Sequence, residues 1–427
     1  MRVIADLHIH SPYARAVSKD MTLENLDHWA GLKGITVMGT GDFTHPKWIK
    51  EIKTKLEPAE PGLYKLKNQF VLKASSQKLE ATPVRFMLAV EISSIYSKGG
   101  KVRRIHNLIF APSIETAEKI NIELSWVGNL ASDGRPILGL DSKELAKIVL
   151  NIDPRAAIVP AHAWTPWFSI FGSMSGFDSI EECFEEFTPQ IFAIETGLSS
   201  DPGMNWRLSK LDHIALISNS DSHSLQRIGR EANVFDTELS YPGIIEAIKS
   251  RDPAKFLFTV EFFPEEGKYH YDGHRLHQVR LAPKETKKLN GLCPVCGKPV
   301  TVGVMHRVEA LADRPPGGRP PAVIPYRNII PLDEIIGEAL GMGVAAKRVK
   351  DEYQKLVENL GSEFHLLLEA SKSELERVTT PEVVEGILRV RDGRVKIEPG
   401  YDGEYGKIKI LGEGEARQAV TQQPALF

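Results

Sequence analysis

The chain alternates between short apolar runs of strand character and longer segments whose apolar positions recur at helical spacing. Seven runs rich in β-branched and aromatic side chains stand between polar breaks: Arg2–His10, Gly34–Gly39, Arg85–Ile92, Arg104–Ala111, Ala156–His162, Gln190–Glu195 and Ile214–Ser220. A segment able to form a helix follows each run, which predicts repeated βα units and an α/β fold with strands that all point the same way. The ends of the runs carry chemistry. At or just beyond them stand His8 and His10, Asp42, Glu91, His106, His162, Glu195, and Asp221 with His223.

In a closed α/β barrel the C-terminal ends of all strands open on one mouth, so these scattered residues become a single cluster. The strand period places His8 and His10 on one face and Leu7 and Ile9 on the other. Asp221 and His223 repeat that spacing. One His or Asp at a strand end is ordinarily a cap or a solvated residue; the whole set points to a polynuclear metal site, with ligands suited to Zn, Mn or Fe.

Composition adds limits. With 427 residues and 42% hydrophobic content, the chain can bury a large core and should divide into two or more domains. A formal charge of -3 and a pI near 6.5 exclude a globally basic nucleic-acid binder, so any such surface must be local. There is no apolar stretch of membrane-spanning length and no charged-then-apolar leader, which predicts a soluble, cytoplasmic protein. Three cysteines, Cys183, Cys293 and Cys296, are too few for a disulfide framework.

After about residue 265 the composition changes. "CPVCG" places Cys293 and Cys296 three apart before a glycine, the spacing of a metal knuckle. The partners come from His270, His274, His277 and His306; His274 and His277 repeat the spacing, which favours a His2Cys2 site holding one structural zinc. From Lys268 to Arg327 there are eleven Lys and Arg against four Asp and Glu, with Lys287 and Lys288 adjacent. A local basic excess on such a module suits a phosphate backbone.

Beyond "RPPGGRPP", Val349, Tyr353, Leu356, Val357, Leu360, Phe364 and Leu367 follow one apolar helix face, expected to pack on Ile329–Leu340. The polar tail "RQAVTQQPALF" is faintly like a sliding-clamp-binding peptide. The expected units are residues 1–265, a zinc module over 266–328, a helical region over 329–412 and a tail over 413–427.

"DLHIH", "VEIS", "RIHNLIFAP", "VPAHAWTP" and "SDSH" resemble, in order and spacing, the motifs of the PHP phosphoesterase superfamily. The resemblance implies a distorted seven-stranded (β/α) barrel with two or three divalent metals (Zn, Mn or Mg). His8, His10, Glu91 and Asp221 would hold one metal, Glu91 would bridge to a second held by His106 and His162, and a third would use His223. Many members carry an Asp-His pair where this chain has Asp42-Phe43, so Asp42, with His45, is the substitute here.

"GTGDFTHPKW", "ETGLSSDPGMNW", "KYHYDGHR", "CPVCGK", "HRVEALADR" and "YRNIIPLDEII" extend the likeness over most of the chain and resemble the endonuclease Q family. What this implies is a DNA repair nuclease that nicks 5′ to deaminated bases (uracil, hypoxanthine, xanthine) and abasic sites, with His277 exchanged for the Cys that relatives often carry; a monomer is expected. Asp42, Glu91, Glu195 and Asp221 are the expected catalytic carboxylates. Metals in such a cluster hold phosphate oxygens, activate water and stabilise the leaving 3′ oxygen. Trp164, Trp167, Phe168 and Phe171, directly after His162, are expected at the rim as the wedge that exposes a damaged base. Lys287 and Lys288 are expected to contact DNA.

Overall fold

A computed structural model describes residues 1–72 and 83–412. The tail proposed for a sliding clamp lies outside the described residues. Each of the seven predicted runs contains a strand: β1 (Arg2–Asp6), β2 (Val37–Gly39), β3 (Arg85–Lys98), β4 (Lys101–Ala111), β5 (Ala157–Pro160), β6 (Ala193–Glu195) and β7 (Ala215–Ile217). Three more follow that matter for the architecture, β8 (Ala232–Asp236), β9 (Phe256–Glu261) and, far along the chain, β12 (Tyr326–Asn328), with β10 (Asp272–His274) and β11 (Val279–Leu281) between them.

The expectation that all strands run parallel is wrong for β4. β1, β2 and β3 pair in parallel, but β4 is antiparallel to both β3 and β5. The reason is local. Gly99 and Gly100, both at positive φ (61° and 72°), join β3 to β4. Consecutive left-handed residues make the tight turn whose twist matches a hairpin, and glycine adopts that backbone without a Cβ penalty. β3 therefore runs past the predicted Ile92, and His106 comes from the opening half of a descending strand.

β6 and β7 form their own parallel pair. They meet β5 through Ala163 N–H donating to the Glu195 carbonyl at 2.9 Å, and meet the chain beyond β1 through His10 N–H donating to the Ser222 carbonyl at 3.0 Å. Outside β1 the sheet continues through β8 and β9 to β12.

Strand alternation explains the interior. Met87 and Ala89 on β3, and Leu108 and Phe110 on β4, join Leu7, Val159, Ala193 and Ile217 in one apolar plug. Glu91 and His106 continue the same faces by period two, so the polar cluster sits on a dry floor. β1 ends at Asp6, short of the predicted His10, and beyond it Leu7 and Ile9 enter different apolar clusters rather than sharing a face.

A second apolar cluster runs from the helices around the sheet into the C-terminal helices Leu332–Ala339, Lys347–Leu360, Glu363–Leu368 and Pro381–Arg391. The single predicted stripe from Val349 to Leu367 is broken by Gly361 (φ 98°) into two helices, the second capped by Ser362 accepting from His365 N–H. Among the described residues no helix is long and apolar enough to cross a membrane.

Candidate active site

Two groups of ligand-type residues converge above the apolar plug and share one side chain. His8, His10, Glu91 and Asp221 form one, and Glu91, His106 and His162 form the other. Glu91 turns one carboxylate oxygen to each. Its Oε1 lies 2.5 Å from His106 Nδ1 and 2.9 Å from His162 Nε2, while Oε2 lies 3.3 Å from His10 Nε2 and 3.6 Å from His8 Nε2.

Buried imidazoles need their second nitrogen fixed if the first is to face a metal, and a carboxylate or carbonyl usually does this. Glu195 holds His8 Nδ1 (3.0 Å) and also accepts the His162 backbone N–H at 2.8 Å. Asp42 holds His10 Nδ1 at 3.0 Å and accepts both the Ser11 N–H and hydroxyl. Asp42, expected as a metal ligand, and Glu195, expected as a catalytic carboxylate, stand outside both groups here, with their oxygens bonded behind the rings. His223 is also outside both groups, with Nδ1 on the Asp221 carbonyl at 2.9 Å and its ring beside that of His10. His45 is turned away, stacked on Tyr13 at 4.5 Å.

The donor set fits divalent metals. His8 Nε2 is buried, has no hydrogen-bond partner, and faces the carboxylates of Glu91 and Asp221. Burial disfavours a charged ring, yet Glu195 and Asp221 outweigh it and hold His8 well above the ordinary imidazole range; Asp42 and Asp221 do the same for His10. Burial likewise works against the charged Glu91, but the hydrogen bonds it accepts from the His106 and His10 rings, together with the Arg135 guanidinium, hold it well below the usual carboxylate range. The site thus stabilises positive charge where the ring nitrogens converge. His106, in contrast, is pulled down to about 4 by burial, which leaves it neutral and able to ligate.

Strain marks the same place. Asp42 (φ 46°), His162 (φ 29°) and Asp221 (φ 45°) all occupy the left-handed region that side chains other than glycine rarely adopt. Each costs on the order of 1–3 kcal/mol, and such strain clusters at functional sites. Gly197 (φ 62°) makes room for one of them, because a Cβ there would lie 2.5 Å from His162 Cβ.

Arg135 was not anticipated. It enters the cluster from a loop, with Nη1 donating to Glu91 Oε2 at 3.0 Å. The sequence signal was faint, since no strand leads into it. The aromatic rim is also revised. Trp164 and Phe171 are 1% exposed and pack on each other, with Trp164 Nε1 donating to Asn205, because the segment folds back through Phe171 N–H to Ala163 O. Trp167 remains exposed, and Phe168 lies on His106.

At a distance along the chain, His274, His277, Cys293 and Cys296 form a third ligand group. Cys296 Sγ lies 3.4 Å from His274 Nδ1 and Cys293 Sγ 3.7 Å from His277 Nδ1. Of the other candidates, His306 is held by Asp272 at 2.7 Å and His270 is buried elsewhere. Burial works against a charged thiolate, but backbone N–H groups of Cys296 and Val295 and the two rings bring Cys293 down to about 6, the ionised form a metal needs. Lys287 and Lys288 are exposed nearby, at the end of helix Pro283–Lys288.

A family profile described as the MJ0043 C-terminal domain matches residues 331–394. The chain is 36% identical over 262 residues to protein MJ0043 of Methanocaldococcus jannaschii, covering 58% of this chain, and spans only 31% of that relative's length. The crystal structure of the lesion-specific endonuclease PfuEndoQ from Pyrococcus furiosus matches with a TM-score of 0.84 and 31% identity, covering 97% of this chain and 96% of that one. A structure of Endonuclease Q with a 27-mer duplex substrate carrying an abasic lesion at the active site matches at 0.82 and 31%, covering 97% and 98%. With both chains matched almost end to end at that identity, this chain belongs to the endonuclease Q family.

Proposed function

We propose that the protein is a metal-dependent endodeoxyribonuclease that nicks the phosphodiester 5′ to deaminated bases (uracil, hypoxanthine, xanthine) and to abasic sites. The observation that carries this reading is the Glu91 carboxylate, which offers one oxygen to each of two adjoining ligand groups, beside an unpartnered His8 Nε2. The relative solved with an abasic lesion at its active site supports the choice of substrate.

In this reading His8, His10, Glu91 and Asp221 hold one divalent ion, Zn, Mn or Mg, and Glu91, His106 and His162 a second, while His223 stands ready for a third. Ions so placed supply Lewis acidity toward the phosphate and a water nucleophile at neutral pH. The chain's own work is positional. Glu195 and Asp42 fix the rings of His8 and His10, and the apolar plug under Glu91 excludes water from below. We assign residues 1–265 to a distorted seven-stranded barrel, 266–328 to a module with one structural zinc, 329–412 to a helical region and 413–427 to a tail. Exposed Trp167, Lys287 and Lys288 are candidates for DNA contact.

The test uses end-labelled duplexes that differ at one central base: guanine, adenine, uracil, hypoxanthine or an abasic site, with Mg or Mn. A nick immediately 5′ of the lesion that leaves a 3′-hydroxyl is expected, and His8→Ala, Glu91→Ala or Asp221→Ala should abolish it while sparing DNA binding. Rapid cutting of undamaged DNA, or of simple phosphate esters with no lesion nicked, would sink the reading.

A further inference from the structure

We infer that Arg135 grips the phosphate to be cut, as a forked donor at the mouth beside Glu91; this rests on the nuclease reading above. The residue belongs to "ASDGRP" (131–136), a loop held from several sides. Asp133 accepts the backbone N–H groups of Arg15 and Arg135, each at 3.2 Å, and its carboxylate pairs with the Arg15 guanidinium. Gly134 N–H donates to the Tyr13 carbonyl at 3.1 Å, and Pro136 O accepts from Ser93 N–H at 3.0 Å, two residues beyond Glu91. The loop also lies directly on Asp42, since a Cβ at Gly134 would come within 2.3 Å of Asp42 Oδ2.

From this seat the guanidinium spans the boundary between cluster and solvent. Nη1 bonds Glu91 Oε2 at 3.0 Å, and the side chain keeps 29% of its surface exposed. Nε and Nη2 have no acceptor among the described residues. A planar group with five N–H donors that spends one on a carboxylate and opens others to the mouth has the geometry that matches two oxygens of one phosphate.

Charge makes the same demand. A phosphodiester entering here approaches the carboxylates of Glu91 and Asp221, with those of Asp42 and Glu195 buried behind the rings of His10 and His8. Arg230, the other arginine near Asp221, is engaged behind it, with Nε on the Ser220 carbonyl at 3.0 Å. Among the arginines of the described residues, Arg135 combines contact with the shared carboxylate and an open face. Anchored by Glu91, it needs no reorganisation to receive the anion.

The experiment is a double-change cycle read by binding. Fluorescence anisotropy, without added divalent metal, compares lesion duplexes bearing either the native linkage 5′ to the lesion or an uncharged methylphosphonate there. Methylphosphonate should weaken the wild type by about tenfold to a hundredfold, the range for a hydrogen bond to a charged group. Arg135→Gln should lose as much on the native duplex and little more on the methylphosphonate. Arg135→Lys, which keeps the charge without the fork and carries the same cycle if the Gln variant folds poorly, should fall between. Additive losses in a protein whose wild type nicks lesion duplexes overturn the assignment of Arg135 and leave the nuclease reading intact. A wild type that nicks no lesion duplex overturns both.

Discussion

Glu195 belongs to neither ligand group, yet its buried carboxylate sets the ring that completes one of them. It accepts from His8 Nδ1, from the His162 backbone and from Asn219 Nδ2 at 2.9 Å, so both ligand groups lean on it. Glu195→Gln keeps the shape and removes the charge that favours His8 as a ligand. Metal titration of the folded variant should show affinity for the first ion about 10–100-fold lower. Unchanged affinity would reduce Glu195 to packing. This residue also marks the limit of what the letters reveal. His8, His10, Glu91, His106, His162 and Asp221 were legible because each stands in or just beyond a strand-like run and the types match a metal, although Glu91 and His106 lie in mid-strand. Asp42 and Glu195 satisfy the same rule from one layer behind, where a supporting carboxylate and a ligating one look alike in sequence. Arg135, carried by a loop, had no rule to reveal it, and Trp164 and Phe171 were misread because the chain doubles back after His162.

Among the elements, the β3–β4 hairpin was readable and missed. Gly99-Gly100 between two β-rich runs is a strong local hairpin signal, but the assumption of uniform βα units overrode it. The four side chains expected as a set after residue 265 do come together, and their chemistry is local: two cysteines three apart and two histidines three apart, on the β10–β11 hairpin and the turn that follows Leu292. The apolar cluster there, Leu281, Cys293 and Val300, is small, so a metal held by the four side chains would add directly to the folding energy of these turns. Cys293→Ser with Cys296→Ser should release about one zinc per chain and increase amide exchange across the segment. His277→Cys should keep the metal and His277→Ala should lose it. Equal zinc content in wild type and double mutant would remove the structural zinc.

For the molecule as a whole, the parts meet at the turn Pro264–Glu266, where the main sheet hands over to the ligand knuckle. Glu265 and Glu266 carbonyls accept from Gly400 and Gly406 N–H groups, which ties the end of the described chain to this turn. The Glu266 side chain lies near Glu334 of the C-terminal helices and near Arg227, which itself pairs with Glu334. Burial first, then the charges of Glu334 and Glu265, push Glu266 up from 4.5 to about 8, against the smaller pull of Arg227 and Arg230. The sign follows from linkage: the folded state binds this proton more tightly than the unfolded state does. Stability from the group is therefore fully present below about 4.5, declines as pH rises, and is lost once pH passes about 8. Glu266→Gln carries no proton to lose. In thermal unfolding followed from pH 5 to 9, about the range in which such a group titrates, the wild type should lose stability with rising pH, and the Gln variant should lose less and overtake it at the alkaline end. Because the turn binds the sheet to the helices, the difference should appear in the main cooperative transition, and a variant whose slope with pH equals that of wild type would show that Glu266 is already ionised in the folded protein.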